Sequence, residues 1–262
     1  MTNPVEREMK RALDPVELLR GIGLDPVAWQ VDLLRSPSAR ILMLMSRQAG
    51  KSTCASVLAV HQCVYTPHSS VLIVSKTIPQ AELLYQKSLQ LYRGLGRPAP
   101  AKAENQRSLG LENGSTMKIV VAHEENVRGH SAASMIIVDE AAIVPDPVFR
   151  ALWPMVAASG GKLIVCGTPA GKRGEFYSLW TRGGPRWLRV QVKAEDCPWL
   201  SADVLAEERE NRRGLTGRGS YAEEYETLWV ENEAQVFSDE DIERSFDPSI
   251  QPFIPGKWGS AA

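Results

Sequence analysis

Residues 46–53 carry the clearest chemistry in the sequence. They read Ser-Arg-Gln-Ala-Gly-Lys-Ser-Thr, and the tail of this segment matches the end of the phosphate-binding pattern G-x-x-x-x-G-K-S/T. Gly50 lets the backbone approach phosphate oxygens, the Lys51 ammonium neutralises β- and γ-phosphate charge, and the Ser52 hydroxyl can ligate Mg²⁺. Successive N–H groups at the start of a following helix would complete the anion cradle. The segment therefore predicts a loop that binds a nucleoside triphosphate.

One position departs from that pattern, because Met45 stands where the first glycine belongs. A Gly-Lys-Ser triplet is common by chance, and the alternative interpretation is a turn with a surface lysine. The flanking sequence favours the phosphate loop. Residues 40–45 form a short apolar run typical of a strand buried on both faces, and residues 53–61 are rich in Ala, Val and Leu, which predicts a helix.

Two adjacent carboxylates, Asp139 and Glu140, follow another apolar run at residues 134–138. The carboxyl ends of strands are where open α/β sheets bind ligands. At a nucleotide site Asp139 would hold Mg²⁺, directly or through water, and Glu140 would polarise the attacking water. The alternative is that the pair caps a helix beginning at Ala141. The phosphate loop upstream favours the catalytic interpretation.

Two arginines and a threonine are further candidates. Phosphoryl transfer usually needs an arginine near the γ-phosphate, supplied in cis or by a neighbouring subunit. Arg47, inside the loop, and Arg128, shortly before the carboxylate strand, are suited to this task. Thr168 follows the apolar run 162–166 and is placed to sense the γ-phosphate. Arginines are common on surfaces, and Gly-Thr-Pro is a typical turn, so the residues alone leave these roles open.

The elements that must position these groups are those of an α/β protein with a mainly parallel sheet. Apolar runs at 70–75 and 187–192 predict further strands, and helical periodicity covers 79–92. Strands that alternate with helices imply right-handed crossovers. Residues 107–121 alternate and turn at Asn113-Gly114, which predicts a hairpin. Neighbouring strand ends are expected to bring Lys51, Asp139 and Glu140 to one triphosphate.

Composition divides the chain into three parts. Residues 1–200 contain the predicted core, with amphipathic helices of residues 1–39 packed on it. Residues 201–245 are charged and helical, which predicts a small lid or linker subdomain. Residues 246–262 contain too many Pro, Gly and small residues for a packed element and are predicted to be a linker or tail.

The overall charge limits how the protein can bind nucleic acid. A hydrophobic fraction of 44% is that of an ordinary globular protein. The net charge of −1 excludes the whole-surface electrostatic binding of strongly basic proteins, so any DNA contact must be a local patch. Lys102, Arg107 and Lys118, near the hairpin, are the candidates, although scattered basic residues often serve only solubility.

Cysteine usage and hydropathy indicate an intracellular protein. The four cysteines form no C-x-x-C pair and have no ligand-spaced histidines beside them, so reduced thiols without structural zinc are expected. Neither a membrane-length apolar segment nor the apolar region of a signal peptide is present. We expect a protein that is neither secreted nor membrane-bound.

Taken together, these motifs resemble the ATPase domain of the large terminase family, which packages viral DNA. The resemblance covers residues 25–240 and implies the RecA-like, ASCE class of P-loop NTPase. The motifs that carry it are, in chain order, Trp29-Gln30, residues 46–52, Asn113-Gly114-Ser115, Val127-Arg128-Gly129, residues 138–142, Gly167-Thr168-Pro169, residues 174–177, Cys197-Pro198-Trp199, Glu223-Glu224-Tyr225 and Val236-Phe237.

The resemblance implies roles for most candidates. The missing first glycine is ordinary in this family, Arg47 acts in cis, Glu140 is the catalytic base and Thr168 belongs to the coupling motif. Arg128 matches an arginine that in some relatives reaches the neighbouring subunit's site, with a cis role as the alternative. Gln30 is implied near the adenine, and the implied nucleotide-binding set is Gln30, Ser46, Arg47, Gln48, Ala49, Gly50, Lys51, Ser52 and Thr53.

The resemblance also implies ATP and Mg²⁺ as cofactors, and double-stranded DNA, the capsid portal and the small terminase subunit as partners. A ring, expected to be pentameric, would form on the capsid, and the protein would be monomeric in solution. The implied location is the cytoplasm of the infected host cell, transiently on the procapsid. The family's C-terminal RNase H-like nuclease domain is expected to be absent from this sequence, because acidic residues 239–241 and 243 have no strand to arrange them.

Two other functions are compatible with some of these motifs. A superfamily 2 helicase also uses a glutamine before the phosphate loop and an Asp-Glu pair, but it needs a second RecA-like lobe that 262 residues cannot supply. A nucleotide-gated docking or regulatory subunit would bind ATP without useful turnover. The presence of both Lys51 and Glu140 favours an enzyme over that subunit.

Overall fold

A computed structural model describes residues 3–128 and 133–231, without the side chain of Arg128. The strands are β1 (Arg40–Met45), β2 (Ser70–Ser75), β3 (Ala101–Glu104), β4 (Ser108–Leu111), β5 (Thr116–Val121), β6 (Met135–Val138), β7 (Lys162–Gly167) and β8 (Leu188–Val192). The helices are α1 (Pro4–Leu13), α2 (Val16–Gly21), α3 (Ala28–Arg35), α4 (Lys51–Tyr65), α5 (Ile78–Gly94), α6 (Glu124–Arg128), α7 (Asp146–Ser159), α8 (Gly174–Arg182), α9 (Ala202–Asn211) and α10 (Tyr221–Glu224).

All eight strands form one sheet in the order β3-β4-β5-β2-β6-β7-β1-β8. Six neighbouring strands pair in parallel, in the sheet order β5-β2-β6-β7-β1-β8. At the other edge, β4 pairs antiparallel with both β3 and β5. This arrangement confirms the predicted α/β class and the hairpin that turns at Asn113-Gly114. The antiparallel strands sit at one edge, as is common in mixed sheets.

The strand order corrects one expectation about the site. The strands that end at the phosphate loop and at Asp139 are not neighbours, because β7 lies between them and pairs with both. Since all three strands are parallel, their carboxyl ends still meet at the same edge of the sheet. The Thr168 strand therefore occupies the middle position, directly between the phosphate loop and the carboxylates.

Helices cover both faces of the central strands, which explains why those strands read as continuous apolar runs. Val71 and Ile73 of β2 belong to a core shared with α4 and α5, while Leu72 and Val74 belong to a second core shared with α7. The N-terminal helices α2 and α3 join the first core. None of the described helices is both long and apolar enough to cross a membrane.

The segment after residue 200 contains α9 and α10 and contacts the core through backbone hydrogen bonds. The Arg47 amide donates to the carbonyl of Glu224 over 2.8 Å, and the Ala194 amide donates to the carbonyl of Tyr225 over 2.9 Å. The predicted boundaries of a subdomain at 201–245 and a tail at 246–262 stay predictions, because residues 232–262 lie outside the described residues.

Candidate nucleotide-binding site

The phosphate loop joins β1 to α4 and has a backbone that its residue types permit. Gly50 has a φ of 94° immediately before α4 begins at Lys51, a left-handed conformation that favours glycine. A Cβ atom added at Gly50 would lie 3.3 Å from Nε2 of Gln30. At the start of the loop, the Ser46 amide donates to the carbonyl of Val192 over 2.9 Å, which ties the loop to β8.

Lys51 connects the loop with the strand that separates it from the carboxylates. Its ammonium is largely buried and donates a hydrogen bond to the Thr168 hydroxyl over 3.2 Å. The Thr168 hydroxyl in turn donates to the carbonyl of Met45 over 3.1 Å. The Lys51 nitrogen also lies 3.9 Å from a carboxylate oxygen of Glu140. The structure thus brings together residues from three motifs, of which those of Lys51 and Thr168 are 117 positions apart in the sequence.

Asp139 and Glu140 have different surroundings, which suits different tasks. Asp139 is buried and accepts a hydrogen bond from the Cys166 thiol over 3.4 Å. Burial raises the pKa of Asp139, the neighbouring Glu140 carboxylate raises it further, and the Lys51 ammonium opposes the rise. The side chain of Glu140 is 42% exposed, which leaves its carboxylate accessible to water.

Glu140 also has an unusual backbone. Its φ of 50° and ψ of 45° lie in the left-handed region, which is uncommon outside glycine and is found at functional sites. The short 3₁₀ helix Ala141–Ile143 that follows receives no side-chain cap from Glu140. The alternative explanation of the carboxylate pair as a helix cap therefore lacks structural support at Glu140.

Two cavities flank the phosphate loop and share Gln48, Lys51 and Ser52. The first has a volume of about 440 Å³, and its other lining residues include Leu19, Gln30, Ala49, Gly50, Thr53 and Trp199. The second has a volume of about 460 Å³, and its other lining residues include Arg47, Asp139, Glu140, Thr168, Arg218 and Glu224. A nucleotide laid across the loop would place its base in the first cavity, where Leu19 and Trp199 offer apolar surface, and its γ-phosphate in the charged second one.

The donor set of the second cavity fits Mg²⁺. The Ser52 side chain and the Asp139 carboxylate line the same space, and oxygen ligands are the ones this ion prefers, usually alongside retained waters and substrate phosphates. Burial is the largest cause of the raised pKa of Asp139, and the Lys51 ammonium that opposes this rise is already hydrogen-bonded to Thr168. A second cation near Asp139 would stabilise its charged form.

Of the two predicted catalytic arginines, the structure describes the side chain of Arg47 but not that of Arg128. Arg47 lines the second cavity, but its guanidinium forms an ion pair with the Glu224 carboxylate, so its charge is already compensated. Arg128 ends α6, and its side chain and residues 129–132 lie outside the described residues. The cis or trans role of Arg128 stays a prediction.

Several residues at the site were assigned no role from the sequence. The Trp199 indole donates to the carbonyl of Gln48 over 2.8 Å and forms a wall of the first cavity. The buried Glu223 carboxylate accepts from the Gly171 amide over 2.6 Å, which joins α10 to the loop after Thr168. Trp199, Glu223 and Glu224 all lie in motifs that carry the family resemblance, and this was their only signal in the sequence.

The candidate DNA-contact residues lie on the antiparallel part of the sheet, away from the phosphate loop. Lys102 is on β3, Lys118 is on β5, and Arg107 precedes β4; all three side chains are exposed. Arg107 lies 3.4 Å from a carboxylate oxygen of Glu82, which reduces its availability. No observation on the described residues tests a DNA contact here.

Comparison with known proteins identifies relatives for most of the chain. A family model described as "Terminase large subunit, T4likevirus-type, N-terminal" matches residues 42–244. The terminase large subunit of Thermus virus P23-45 is 27% identical over 89% of this chain and 55% of its own length, and that of Escherichia phage T5 is 26% identical over 79% and 48%. The chain spans about half the length of the curated relatives it matches.

A solved structure shows the same fold. A point mutant of the Thermus phage P74-26 large terminase ATPase domain superimposes with a TM-score of 0.71 at 23% identity, over 83% of this chain and 100% of that one. At this identity the likeness shows the fold alone, and it agrees with the α/β class predicted from the sequence.

Proposed function

Since this chain belongs to the terminase large subunit family and matches its N-terminal part, we propose that it is an ATPase motor domain that moves double-stranded DNA into a procapsid. The observation that carries the proposal is the meeting of three groups at one cavity. Lys51 contacts Thr168 at 3.2 Å and Glu140 at 3.9 Å. A cation for the phosphates and a carboxylate open to water are parts that hydrolysis requires, and the Thr168 hydroxyl lies beside them.

The proposed reaction is attack of water on the γ-phosphate of ATP. Loop amides and the Lys51 ammonium bind the β- and γ-phosphates and hold them in line for attack. Glu140 accepts a proton from the attacking water, whose oxygen forms the new bond to phosphorus while the bond to the β–γ bridging oxygen breaks. Ser52 and Asp139 would hold Mg²⁺, which neutralises charge on the phosphate oxygens when bound. Positioning and charge stabilisation supply most of the catalysis.

Thr168 is suited to report the state of the nucleotide to the rest of the molecule. Its hydroxyl is held between Lys51 and the carbonyl of Met45, so a γ-phosphate that draws Lys51 away changes the hydrogen bonds of Thr168. Three residues later, the Gly171 amide is bound by Glu223 of α10. This contact gives a route from the γ-phosphate to the segment after residue 200.

The implied partners are part of the same proposal. They are double-stranded DNA, the capsid portal and the small terminase subunit, with self-association into a pentameric ring on the capsid and a monomer in solution. The place of action is the cytoplasm of the infected host cell, transiently at the procapsid. We assign no nuclease activity to residues 1–262.

A regulatory subunit that binds ATP without turnover is the function to be distinguished. We expect steady-state phosphate release from ATP, with a loss of about 10²-fold or more when EDTA removes Mg²⁺, because a Lewis-acid cation contributes several kcal/mol to stabilising the transition state. The measurement is coupled phosphate release with and without double-stranded DNA. ATP binding at normal affinity, with no release above the no-enzyme background under either condition, favours the regulatory subunit instead.

Arg128 gives a prediction about subunit cooperation. If this arginine acts in trans, Arg128→Ala should lose about 10³-fold or more of its turnover, as for other arginine fingers. Mixing it with Glu140→Gln should restore part of the activity, because each variant supplies what the other lacks. Phosphate release is measured across a range of protein concentrations, where wild-type specific activity should rise. A mixture no more active than its two components would assign Arg128 to its own subunit.

A further inference from the structure

Three cationic side chains line the cavity proposed for the γ-phosphate, and they differ in what they contact. These are Arg47, Lys51 and Arg218. Arg47 forms an ion pair with Glu224, and Lys51 donates to Thr168. Arg218 has neither a hydrogen-bond nor an ion-pair partner for its side chain within residues 3–128 and 133–231. The cavity therefore contains one guanidinium that is neither hydrogen-bonded nor ion-paired within the described residues, and its charge acts on the Glu223 carboxylate, where it opposes the rise in pKa that burial causes.

We propose that Arg218 is a catalytic residue whose guanidinium contacts the γ-phosphate in cis. This inference rests on the proposed ATPase function and adds a residue to its machinery. Sequence reasoning considered Arg47 and Arg128 for this task and gave Arg218 no role. A planar guanidinium binds two phosphate oxygens at once, and the charge that develops on the γ-phosphate is what a catalytic arginine stabilises.

The backbone around Arg218 explains how it reaches the cavity. Gly217 and Gly219 have φ values of 65° and 90°, a left-handed backbone that glycine adopts without strain. This pair turns the chain sharply on both sides of Arg218. The turn presents the residue at the cavity although it comes from a loop outside the sheet.

Hydrogen bonds hold that turn: the Ser220 amide donates to the carbonyl of Gly217 over 3.0 Å, which closes the chain around Arg218. The Arg212 guanidinium of the preceding segment donates to the carbonyl of Gly219 over 2.6 Å, and the Ser220 hydroxyl accepts from the Glu223 amide at the start of α10. A catalytic group gains most when it is held in place before the substrate arrives. The turn supplies such a position for Arg218.

Helix α10, which follows the turn that contains Arg218, binds both the phosphate loop and the loop after Thr168. Glu224 accepts from the Arg47 amide, while Glu223 accepts from the Gly171 amide. Arg218 lies in the turn just before α10, so a shift of α10 relative to the core would move its guanidinium with respect to the nucleotide. Its contact with ATP, and the absence of that contact with ADP, would link the nucleotide to the segment after residue 200.

The test compares Arg218→Ala and Arg218→Lys with Arg213→Ala. Arg213 is a matched control, because it is an exposed arginine of the same segment that pairs with exposed Glu210 and does not line the cavity. We expect Arg218→Ala to lose about 10³-fold in kcat, Arg218→Lys to recover little of it, and Arg213→Ala to match the wild type. Adding Lys51→Ala protein, which still carries Arg218, should not rescue Arg218→Ala, because the contact is made in cis.

Binding provides a second readout that does not depend on turnover. Arg218→Ala should weaken binding of the slowly hydrolysed analogue ATP-γ-S at least tenfold relative to ADP, since only the former carries an anionic group, a thiophosphate, at the γ position. Equal weakening for both nucleotides, wild-type turnover, or rescue by Lys51→Ala protein would each overturn the assignment. If the wild type shows no phosphate release, the proposed function fails, whereas the ratio of ATP-γ-S to ADP affinity still decides whether Arg218 contacts the γ-phosphate.

Discussion

Glu140→Gln should lower ATP turnover by about 10²- to 10⁴-fold, the range that a positioned general base contributes, while ATP binding remains. The amide keeps the size of the side chain and its place 3.9 Å from the Lys51 ammonium. It cannot accept a proton from the attacking water. Because the Glu140 side chain is partly exposed and forms no hydrogen bond within the described residues, the protein should fold normally. The measurements are kcat from phosphate release and Kd from titration with ATP.

Glu112→Gln is the matched control for this prediction. Glu112 is an exposed carboxylate in the turn between β4 and β5, far along the sheet from β1, so its neutralisation should leave both kcat and Kd unchanged. Glu140→Ala should be as inactive as Glu140→Gln. Normal turnover by Glu140→Gln would remove Glu140 from the role of base and leave the carboxylate pair without a catalytic explanation.

The strands of the core were predictable because they are buried on both faces. A parallel strand covered by helices on each side must be apolar at consecutive positions, and runs such as Ile41–Met45 show this directly. The bounds predicted at 40–45 and 70–75 are those observed. β3 was not predicted, since its sequence Ala-Lys-Ala-Glu is short, half polar and at the edge of the sheet, where few side chains are buried.

The order of the strands in the sheet was harder to predict from the sequence than the presence of each strand. Periodicity shows that a segment is a strand, but it contains no information on which strand lies beside which. The expectation of neighbouring ends for the phosphate loop and the carboxylates was wrong for this reason, since β7 lies between β1 and β6. β7 itself pairs directly with the carboxylate strand β6.

Some residues of the site could be predicted from the sequence and others could not, for a similar reason. The neighbouring sequence made three site residues predictable, Gly50, Lys51 and Asp139, because each lies in a local pattern that is typical of a phosphate or metal site. Glu224 and Arg218 were not, because they reach the site through contacts between segments about 170 positions apart, such as the Arg47–Glu224 pair. An arginine in the loop Gly-Leu-Thr-Gly-Arg-Gly has no local pattern that distinguishes it from a solvated one.

Lys51→Ala should abolish both nucleotide binding and turnover. The mutation removes the cation that faces the β- and γ-phosphates, and it leaves Asp139 and Glu140 without the ammonium that lies 3.9 Å from Glu140, so two carboxylates then repel the incoming triphosphate. Loss of one preorganised donor at such a site costs about 10²- to 10³-fold in turnover, and the added repulsion increases the loss.

Binding of ATP to Lys51→Ala is best followed by thermal unfolding, because a ligand at 100 times its Kd stabilises the folded state by about 2.7 kcal/mol. This stabilisation should be absent in Lys51→Ala. Lys76→Ala is the control, since Lys76 is an exposed lysine that follows β2 at the same edge of the sheet and should retain the full ATP-dependent shift. An ATP-dependent shift of normal size in Lys51→Ala would mean that the nucleotide binds elsewhere, and the meeting of Lys51, Thr168 and Glu140 would then need another explanation.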